Sequence, residues 1–124
     1  MIQPGSSLLV QDNSGGRIVE CIRVLKKSGR SAGSVGDFLL VSVKKLRKKG
    51  RIKVKKKEIC IALVTKVNKN VNRNSGVFVR TSLNFCVLFN RQYKSHGTRV
   101  FGLVNKKLRQ SSQFKLVTMA SKFI

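Results

Sequence analysis

ICIALVTKV, at residues 59–67, is the clearest strand pattern in the chain. Ile59, Ile61 and Leu63 share one parity, and side chains two positions apart lie on the same face of an extended chain. Similar short apolar patterns lie at residues 7–11, 17–25, 37–46, 77–81, 85–89 and 97–102. Short strands at near-regular spacing predict a mainly β fold, a small closed barrel, with a short helix over residues 104–110.

Turn residues separate these strands. The run DNSGG at residues 12–16 predicts a hairpin-like reversal, because Asp and Asn side chains bond to nearby backbone and glycine adopts positive φ. The run NSG at residues 74–76 predicts a turn, followed by the strands at 77–81 and 85–89 as a second hairpin. Residues 114–119 are expected to return as a strand or turn after the helix.

Length and composition favour one packed domain over residues 1–124. Val, Ile, Leu and Phe together make up about a third of the chain, well above the level of about a fifth that marks disorder. Val and Ile are common and Ala is rare, and β-branched side chains fit a pleated sheet better than a helix. The composition therefore also favours an all-β core.

The charge is the strongest functional signal. The chain has 27 Lys and Arg against 4 Asp and Glu, a net charge of +23. Close like charges oppose compaction, so an anionic partner must normally neutralise them. Membrane surfaces and acidic proteins are candidates, but a polyphosphate backbone offers the densest negative charge and the strongest counterion release.

Residues 44–57 carry the densest charge, since ten of the fourteen are basic. Within them Arg51, Lys53 and Lys55 alternate with Ile52 and Val54, which predicts a basic β-ribbon with cations on one face. A solvated, charge-rich loop is the alternative. Glu58 is the only acid nearby in sequence, which favours the ribbon.

The remaining side chains argue against an enzyme. His96 lies in a polar turn, and the four acids, Asp12, Glu20, Asp37 and Glu58, are far apart in sequence, so local spacing shows no acid/base pair. Cys21, Cys60 and Cys86 are widely spaced, each within an apolar run. They are interpreted as buried thiols in a reducing compartment instead of metal ligands. We expect no catalytic residue, metal or cofactor.

The aromatic residues and the first ten residues are less informative about function than the charge. Most of the seven Phe lie within strand patterns, so core packing is favoured over base stacking. Residues 1–10 lack the charged region of a signal or transit peptide, and no apolar stretch approaches the roughly 18 residues of a membrane span. The Lys, Asn, Ile and Phe bias suggests an AT-rich organellar genome, hence a mitochondrial product, with bacterial cytoplasm or plastid as alternatives.

Five blocks of sequence together carry a resemblance to a known family. They are DNSGGR at 12–17, CIRVL at 21–25, VGD at 35–37, VSVK at 41–44 and GTRVFG at 97–102. In this order they resemble the signature blocks of the universal large-subunit ribosomal protein fourteen family, of bacterial and organellar type. The similarity runs over the whole chain, although Gly16 stands where alanine is usual.

This resemblance implies a fold, a function and partners. The fold is a five-stranded β-barrel with a basic two-stranded ribbon at about 44–57 and a C-terminal helical tail at about 104–124. The implied function is structural: the protein would bind large-subunit rRNA and lie at the subunit interface. Its partners would be large-subunit proteins nineteen and three, small-subunit rRNA through a bridge, and a ribosome-silencing factor.

Charge and resemblance together predict the site residues. Those expected to bind RNA are Arg17, Lys44, Lys45, Arg47, Lys48, Lys49, Arg51, Lys53, Lys55, Lys56 and Arg80. Thr98 and Arg99 match the family block that faces the silencing factor, and are expected to contact a protein partner. A non-ribosomal RNA chaperone with the same barrel is the alternative function. A small basic nuclease is more remote, because it needs a carboxylate or histidine cluster.

Overall fold

Nine strands and one 3-10 helix make up the computed structural model, which describes residues 2–25, 32–72, 75–110 and 120–124. The strands are β1 (Ser7–Val10), β2 (Gly16–Val24), β3 (Phe38–Leu46), β4 (Ile59–Lys66), β5 (Val71–Asn72), β6 (Phe78–Val79), β7 (Phe85–Phe89), β8 (Val100–Val104) and β9 (Ala120–Phe123). The 3-10 helix spans Lys106–Gln110.

Five of these strands close a barrel in the order β1-β2-β3-β4-β7. Neighbours pair antiparallel except where β1 meets β7, a parallel contact with Leu9 opposite Phe85. Closure gives each strand two partners and so removes exposed sheet edges. The predictions of a mainly β fold and a five-stranded barrel are confirmed.

The interior of the barrel is formed by side chains at alternate positions along the strands. In β3, Leu39, Val41 and Val43 are fully buried, while the residues between them are only half-buried. The neighbouring β2 shows three register shifts against β3, where the regular ladder is interrupted. Apolar side chains on alternate positions therefore meet inside the barrel and form the core.

The second hairpin differs from its prediction. Two-residue β6 pairs with β5 across the turn, with Val71 opposite Val79 and Asn72 opposite Phe78. β7 instead joins the barrel between β4 and β1. The physical reason is burial, because four consecutive β7 residues from Cys86 to Phe89 are buried and complete the core.

Where the structure describes it, at residues 104–110 and 120–124, the C-terminal part is less helical than predicted. The helix is a single 3-10 segment that begins at Lys106, and β9 then pairs parallel to β8, with Val104 opposite Phe123. Ile124 N–H donates to Val104 O at 2.9 Å, which fixes the chain end beside the core. The predicted helical tail is therefore wrong at its last residues, and the expected strand or turn at 114–119 lies outside the described residues.

All three cysteines are buried and free, as predicted. Cys21 and Cys60 both pair with Val41, so β2, β3 and β4 bring the two thiols to the same inward face. Burial raises the pKa of Cys60 to about 12, with the carboxylates of Glu58 and Asp12 adding to the shift. Burial also raises the pKa of the Cys21 and Cys86 thiols. These thiols are packing groups that remain protonated.

Replacing one buried thiol should cost stability in a pH-dependent way. Ala or Ser at Cys60, and likewise at Cys21 or Cys86, should lower the free energy of unfolding by roughly 1 to 3 kcal/mol near neutral pH. The raised pKa means that the folded state holds a proton that the unfolded thiol loses above about pH 8.5. The stabilising effect of Cys60 is therefore full below that pH and falls as pH rises towards 12.

Urea unfolding of wild type and Cys60→Ala at about pH 8 and about pH 10 measures this effect. The difference between the two proteins should shrink at the higher pH, by about 1.4 kcal/mol per pH unit at most. A constant difference would contradict a buried, protonated Cys60.

Candidate nucleic-acid interface

A basic cleft of about 420 Å³ lies between the start of β2 and the end of β3. The pairing of Gly16 with Leu46 and of Ile18 with Lys45 brings the two strand ends together. No acidic side chain is among the residues that line the cleft, and its five cations are exposed. The lining residues are Arg17, Lys44, Lys45, Leu46, Lys48 and Lys56.

The rest of the basic segment is a docked loop. Only residues 44–46 of the predicted ribbon belong to a strand, and residues 47–58 connect β3 to β4. At the end of this loop, Lys57 N–H donates to Val43 O at 2.7 Å and Val43 N–H donates to Glu58 O at 2.9 Å, so the chain returns to β3 just before β4 begins. Gly50 and Lys57 have φ of 97° and 67°, outside the range of extended backbone. A two-stranded ribbon would also place like charges opposite each other, which is unfavourable. The ribbon prediction is therefore wrong beyond Leu46.

Backbone hydrogen bonds attach this loop to the turn at residues 12–16. Arg47 N–H donates to Gly15 O at 2.8 Å, and Lys53 N–H donates to Ser14 O at 2.7 Å. Val54 is 2% exposed and packs into the core, whereas Ile52 is 45% exposed. The predicted alternation thus holds at Val54, and the cations beside it face solvent. The exposed loop cations are Lys48, Lys49, Arg51, Lys53, Lys55, Lys56 and Lys57.

The turn is itself held by a buried carboxylate. Asp12 is 1% exposed, and its Oδ1 accepts from Ser14 N–H at 3.1 Å and from the Ser14 hydroxyl. Its Oδ2 accepts from Leu88 N–H at 2.9 Å, which ties the turn to β7. Because these donors compensate the loss of water, the charge is tolerated inside the protein.

Thr98 and Arg99 are exposed and lie against the same turn. The Asn13 side-chain oxygen accepts from Thr98 N–H at 2.7 Å and from Arg99 N–H at 3.1 Å, and its Nδ2 donates to Thr98 Oγ1 at 3.0 Å. Neither residue lines the basic cleft. The predicted protein-partner residues therefore form a separate surface, although one turn supports both.

Two predicted RNA-binding arginines belong neither to the lining of the cleft nor to the exposed cations of the loop. Arg80 follows β6, where its Nε donates to Asn68 Oδ1 at 3.0 Å, and it does not line the cleft. Arg47 places its guanidinium 5.0 Å from the centre of the Phe101 ring. Charge and sequence position alone could not separate these two arginines from the cations of the cleft.

Sequence reasoning missed Gln11 and Phe101. Gln11 is buried, and its Nε2 donates to the carbonyls of Phe101 and Leu103, both at 2.6 Å. Phe101 is 45% exposed, so the general expectation of core packing for Phe is wrong here. One available signal is parity, because Phe101 follows the buried Val100 in a strand. Gln11 gives no comparable signal, since its partners are about 90 positions away.

Metal-ligand clusters and membrane-spanning helices are both absent from the described part of the chain. Within it, no three His, Cys, Asp or Glu side chains are grouped closely enough to hold a metal ion. The same residues contain no helix with the length and apolar character needed to cross a membrane. His96 is half-buried, and its backbone N–H donates to Leu88 O at 3.1 Å.

The closed barrel, the basic cleft and the docked loop define a small basic β-barrel protein. The family model of ribosomal protein L14p/L23e matches residues 1–124, the whole chain, and the chain belongs to that family. It is a ribosomal protein of the large subunit with a part in translation, and the family implies large-subunit rRNA and ribosomal proteins as partners. It is a structural protein and not an enzyme.

Gly15 should be needed for loop docking. Its φ is +98°, and an added Cβ would lie 2.7 Å from the Cα of Ile52. Gly76 has φ of +83° with nothing within 4 Å of an added Cβ, and is the matched control. Gly76→Ala should cost about 1 to 2 kcal/mol from backbone strain, and Gly15→Ala should cost more because the loop must also move.

Chemical unfolding and amide hydrogen exchange measure the two effects. Gly15→Ala should lose protection at the Arg47 and Lys53 amides, which bond to the turn, while Gly76→Ala should retain it. Equal costs and equal protection in the two variants would contradict the docking role of Gly15.

Proposed function

We propose that this chain binds large-subunit rRNA through the basic cleft and the docked loop beside it. The proposal is supported mainly by the composition of the cleft, which is lined by five exposed cations and by no acidic side chain. Phosphate oxygens are the acceptors that Lys and Arg side chains bind in RNA. Counterion release then makes each phosphate contact favourable at moderate salt.

Recognition in this proposal depends on shape and charge. An A-form RNA helix presents phosphates, 2′-hydroxyls and a shallow minor groove, and side chains cannot read its narrow major groove. The backbone hydrogen bonds to Ser14 and Gly15 give the loop a fixed array of backbone positions from which its exposed cations extend, unlike a flexible basic tail. A fixed array matches one arrangement of phosphates better than others, which is the specificity required for a single position on the large subunit.

A second part of the proposal concerns contacts with proteins nineteen and three of the large subunit. An apolar groove of about 210 Å³ lies at one end of the barrel, lined by Leu8, Leu9, Ile18 and Leu83 with Ser7, Asn68 and Asn84. Val77 and Phe78 are also exposed on the hairpin of β5 and β6. Exposed apolar surface of this kind supports burial against another protein.

The exposed Thr98 and Arg99 support the interface part of the proposal. We assign this surface to the subunit interface, where the chain contributes to a bridge with small-subunit rRNA and can instead bind a ribosome-silencing factor. Arg99 offers a planar group of five donors that suits carboxylate partners. The Asn13 hydrogen bonds hold the backbone of this segment in place before any partner arrives.

The compartment proposed is the mitochondrion, with bacterial cytoplasm or plastid as alternatives. Its support is compositional, namely the bias towards Lys, Asn, Ile and Phe that AT-rich codons produce. Location of the gene in a mitochondrial genome would establish it, whereas a plastid or bacterial genome would establish one of the alternatives.

Charge removal from the loop should weaken RNA binding and reduce its salt dependence. The variant Lys48→Gln, Lys49→Gln, Arg51→Gln should lower the log–log salt slope by about 0.7 to 0.9 for each phosphate that is no longer neutralised. The matched control is Lys69→Gln, Arg91→Gln, Lys94→Gln, which removes the same number of exposed charges away from the cleft. Titration of an rRNA fragment at several salt concentrations gives both slopes, and equal slopes would reject the loop as the main anchor.

Charge reversal at Arg99 should separate the two proposed surfaces. Arg99→Glu should abolish binding of an acidic silencing factor through like-charge repulsion, and leave incorporation into the large subunit nearly intact because the cleft is elsewhere. Arg91→Glu, also exposed, controls for net charge. Subunit occupancy and factor pull-down decide the matter: normal factor binding would refute the docking role, and failed incorporation would assign Arg99 to rRNA or to the fold.

A further inference from the structure

Phe101 is a half-exposed aromatic residue on a rigid backbone. Its N–H donates to Gln11 O at 2.7 Å, and its carbonyl accepts from Gln11 Nε2 at 2.6 Å. Gln11 is buried and fixed in turn, because its Oε1 accepts from Thr65 Oγ1 at 2.7 Å. The backbone that carries the ring is therefore attached on both sides to the barrel.

A bulge turns this part of β8 outwards. The register between β8 and β9 shifts between Val100 and Leu103, and Gly102 has φ of +74°. Three consecutive residues, Phe101, Gly102 and Leu103, are exposed, where regular alternation would bury one of them. Alternation from the buried Val100 places the Phe101 ring at the surface, and the bulge extends the exposed surface through Gly102 and Leu103.

The ring lies against the basic loop. The Arg47 guanidinium is 5.0 Å from the ring centre, within the range of a cation–π contact. Its chain neighbours Leu46 and Lys48 both line the basic cleft, and adjacent Cα atoms are only about 3.8 Å apart. A planar aromatic and guanidinium surface thus adjoins a cleft suited to phosphate.

We propose that Phe101 and Arg47 form a stacking site for one unpaired RNA base whose phosphate lies in the basic cleft. The proposal rests on the proposed RNA-binding function and adds a nucleotide class to it, a base outside a duplex. Unpaired bases stack on aromatic rings and on Arg guanidinium planes. A protein partner would have to supply both an apolar group for the ring and several acids for the cleft, whereas one nucleotide supplies both chemistries.

Two probes separate stacking from charge: a short oligoadenylate, and an abasic ribose–phosphate oligomer with the same number of phosphates. Phe101→Ala in the full chain should weaken oligoadenylate binding by on the order of 5- to 100-fold, with an unchanged salt slope and unchanged binding of the abasic oligomer. Phe78→Ala, at an even more exposed Phe on the β5–β6 hairpin, is the matched control and should change neither.

Phe101→Trp gives a direct readout that does not depend on a truncated side chain. The chain has no Trp, so this residue would be the sole indole. It should retain affinity, and its fluorescence should be quenched by oligoadenylate but not by the abasic oligomer. Far-ultraviolet circular dichroism of each variant confirms that the barrel is intact.

Three results would overturn the proposal. The stacking site would be rejected if the wild type bound both probes with equal affinity and oligoadenylate did not quench the fluorescence of Phe101→Trp. The proposed rRNA binding would still stand in that case, provided that binding of both probes depended on salt. Absence of binding to either probe at low salt would overturn both. If Phe101→Ala bound oligoadenylate as the wild type does but no longer bound the silencing factor, the ring would be assigned to a protein partner.

Discussion

The buried carboxylate of Asp12 is the interaction on which both proposed binding surfaces depend. A carboxylate without partners is costly inside a protein, and three hydrogen bonds from Ser14 and Leu88 offset that cost here. With Asp12 fixed, the side chain of Asn13 faces residues 98 and 99, while the carbonyls of Ser14 and Gly15 face the basic loop. A short turn thereby sets the positions of a cationic surface and of a second exposed surface. Loss of this carboxylate would disturb both surfaces together, although they share no exposed residue.

The basic loop shows how a highly charged segment keeps a defined shape. Its cations repel one another, and a regular ribbon would have aligned them across strands. The loop is instead held by two backbone hydrogen bonds to the turn, by backbone hydrogen bonds between its end and Val43 of β3, and by the buried side chain of Val54. Each such bond contributes only about 1 kcal/mol net, and burial of a Val contributes roughly 1.5 kcal/mol or more. These contributions are comparable to the repulsion of a few exposed charges, so a bound anion that removes the repulsion would also stabilise the loop.

Short-range patterns in the sequence predicted the barrel, because a short apolar run between turn residues is a local property of each strand. Strands β1, β2, β3, β4 and β7 all lie where such runs indicate. The failures involve long-range contacts or backbone angles. Residues 120–123, ASKF, have no alternating pattern, and their pairing with β8 depends on a partner about 20 positions away. The alternation around Val54 resembles a strand, but the positive φ values of Gly50 and Lys57 interrupt it. Gln11 could not be found, because its partners lie about 90 positions away in sequence. The exposure of Phe101 follows from its position next to the buried Val100, but its hydrogen bonds to Gln11 do not.

The few acids of this chain explain why its charge remains available to a partner. Asp12, Asp37 and Glu58 each accept a backbone N–H in a turn, from Ser14, Ser34 and Lys55 respectively. None of these carboxylates lines the basic cleft. These three acids therefore shape turns, and the cations of the cleft keep their positive potential for an external anion. Because a net charge of +23 opposes compaction, the barrel core must hold the fold until such an anion binds. Binding of a polyanion to the folded state alone then stabilises the protein by mass action, so assembly with RNA and stability of the barrel are thermodynamically linked.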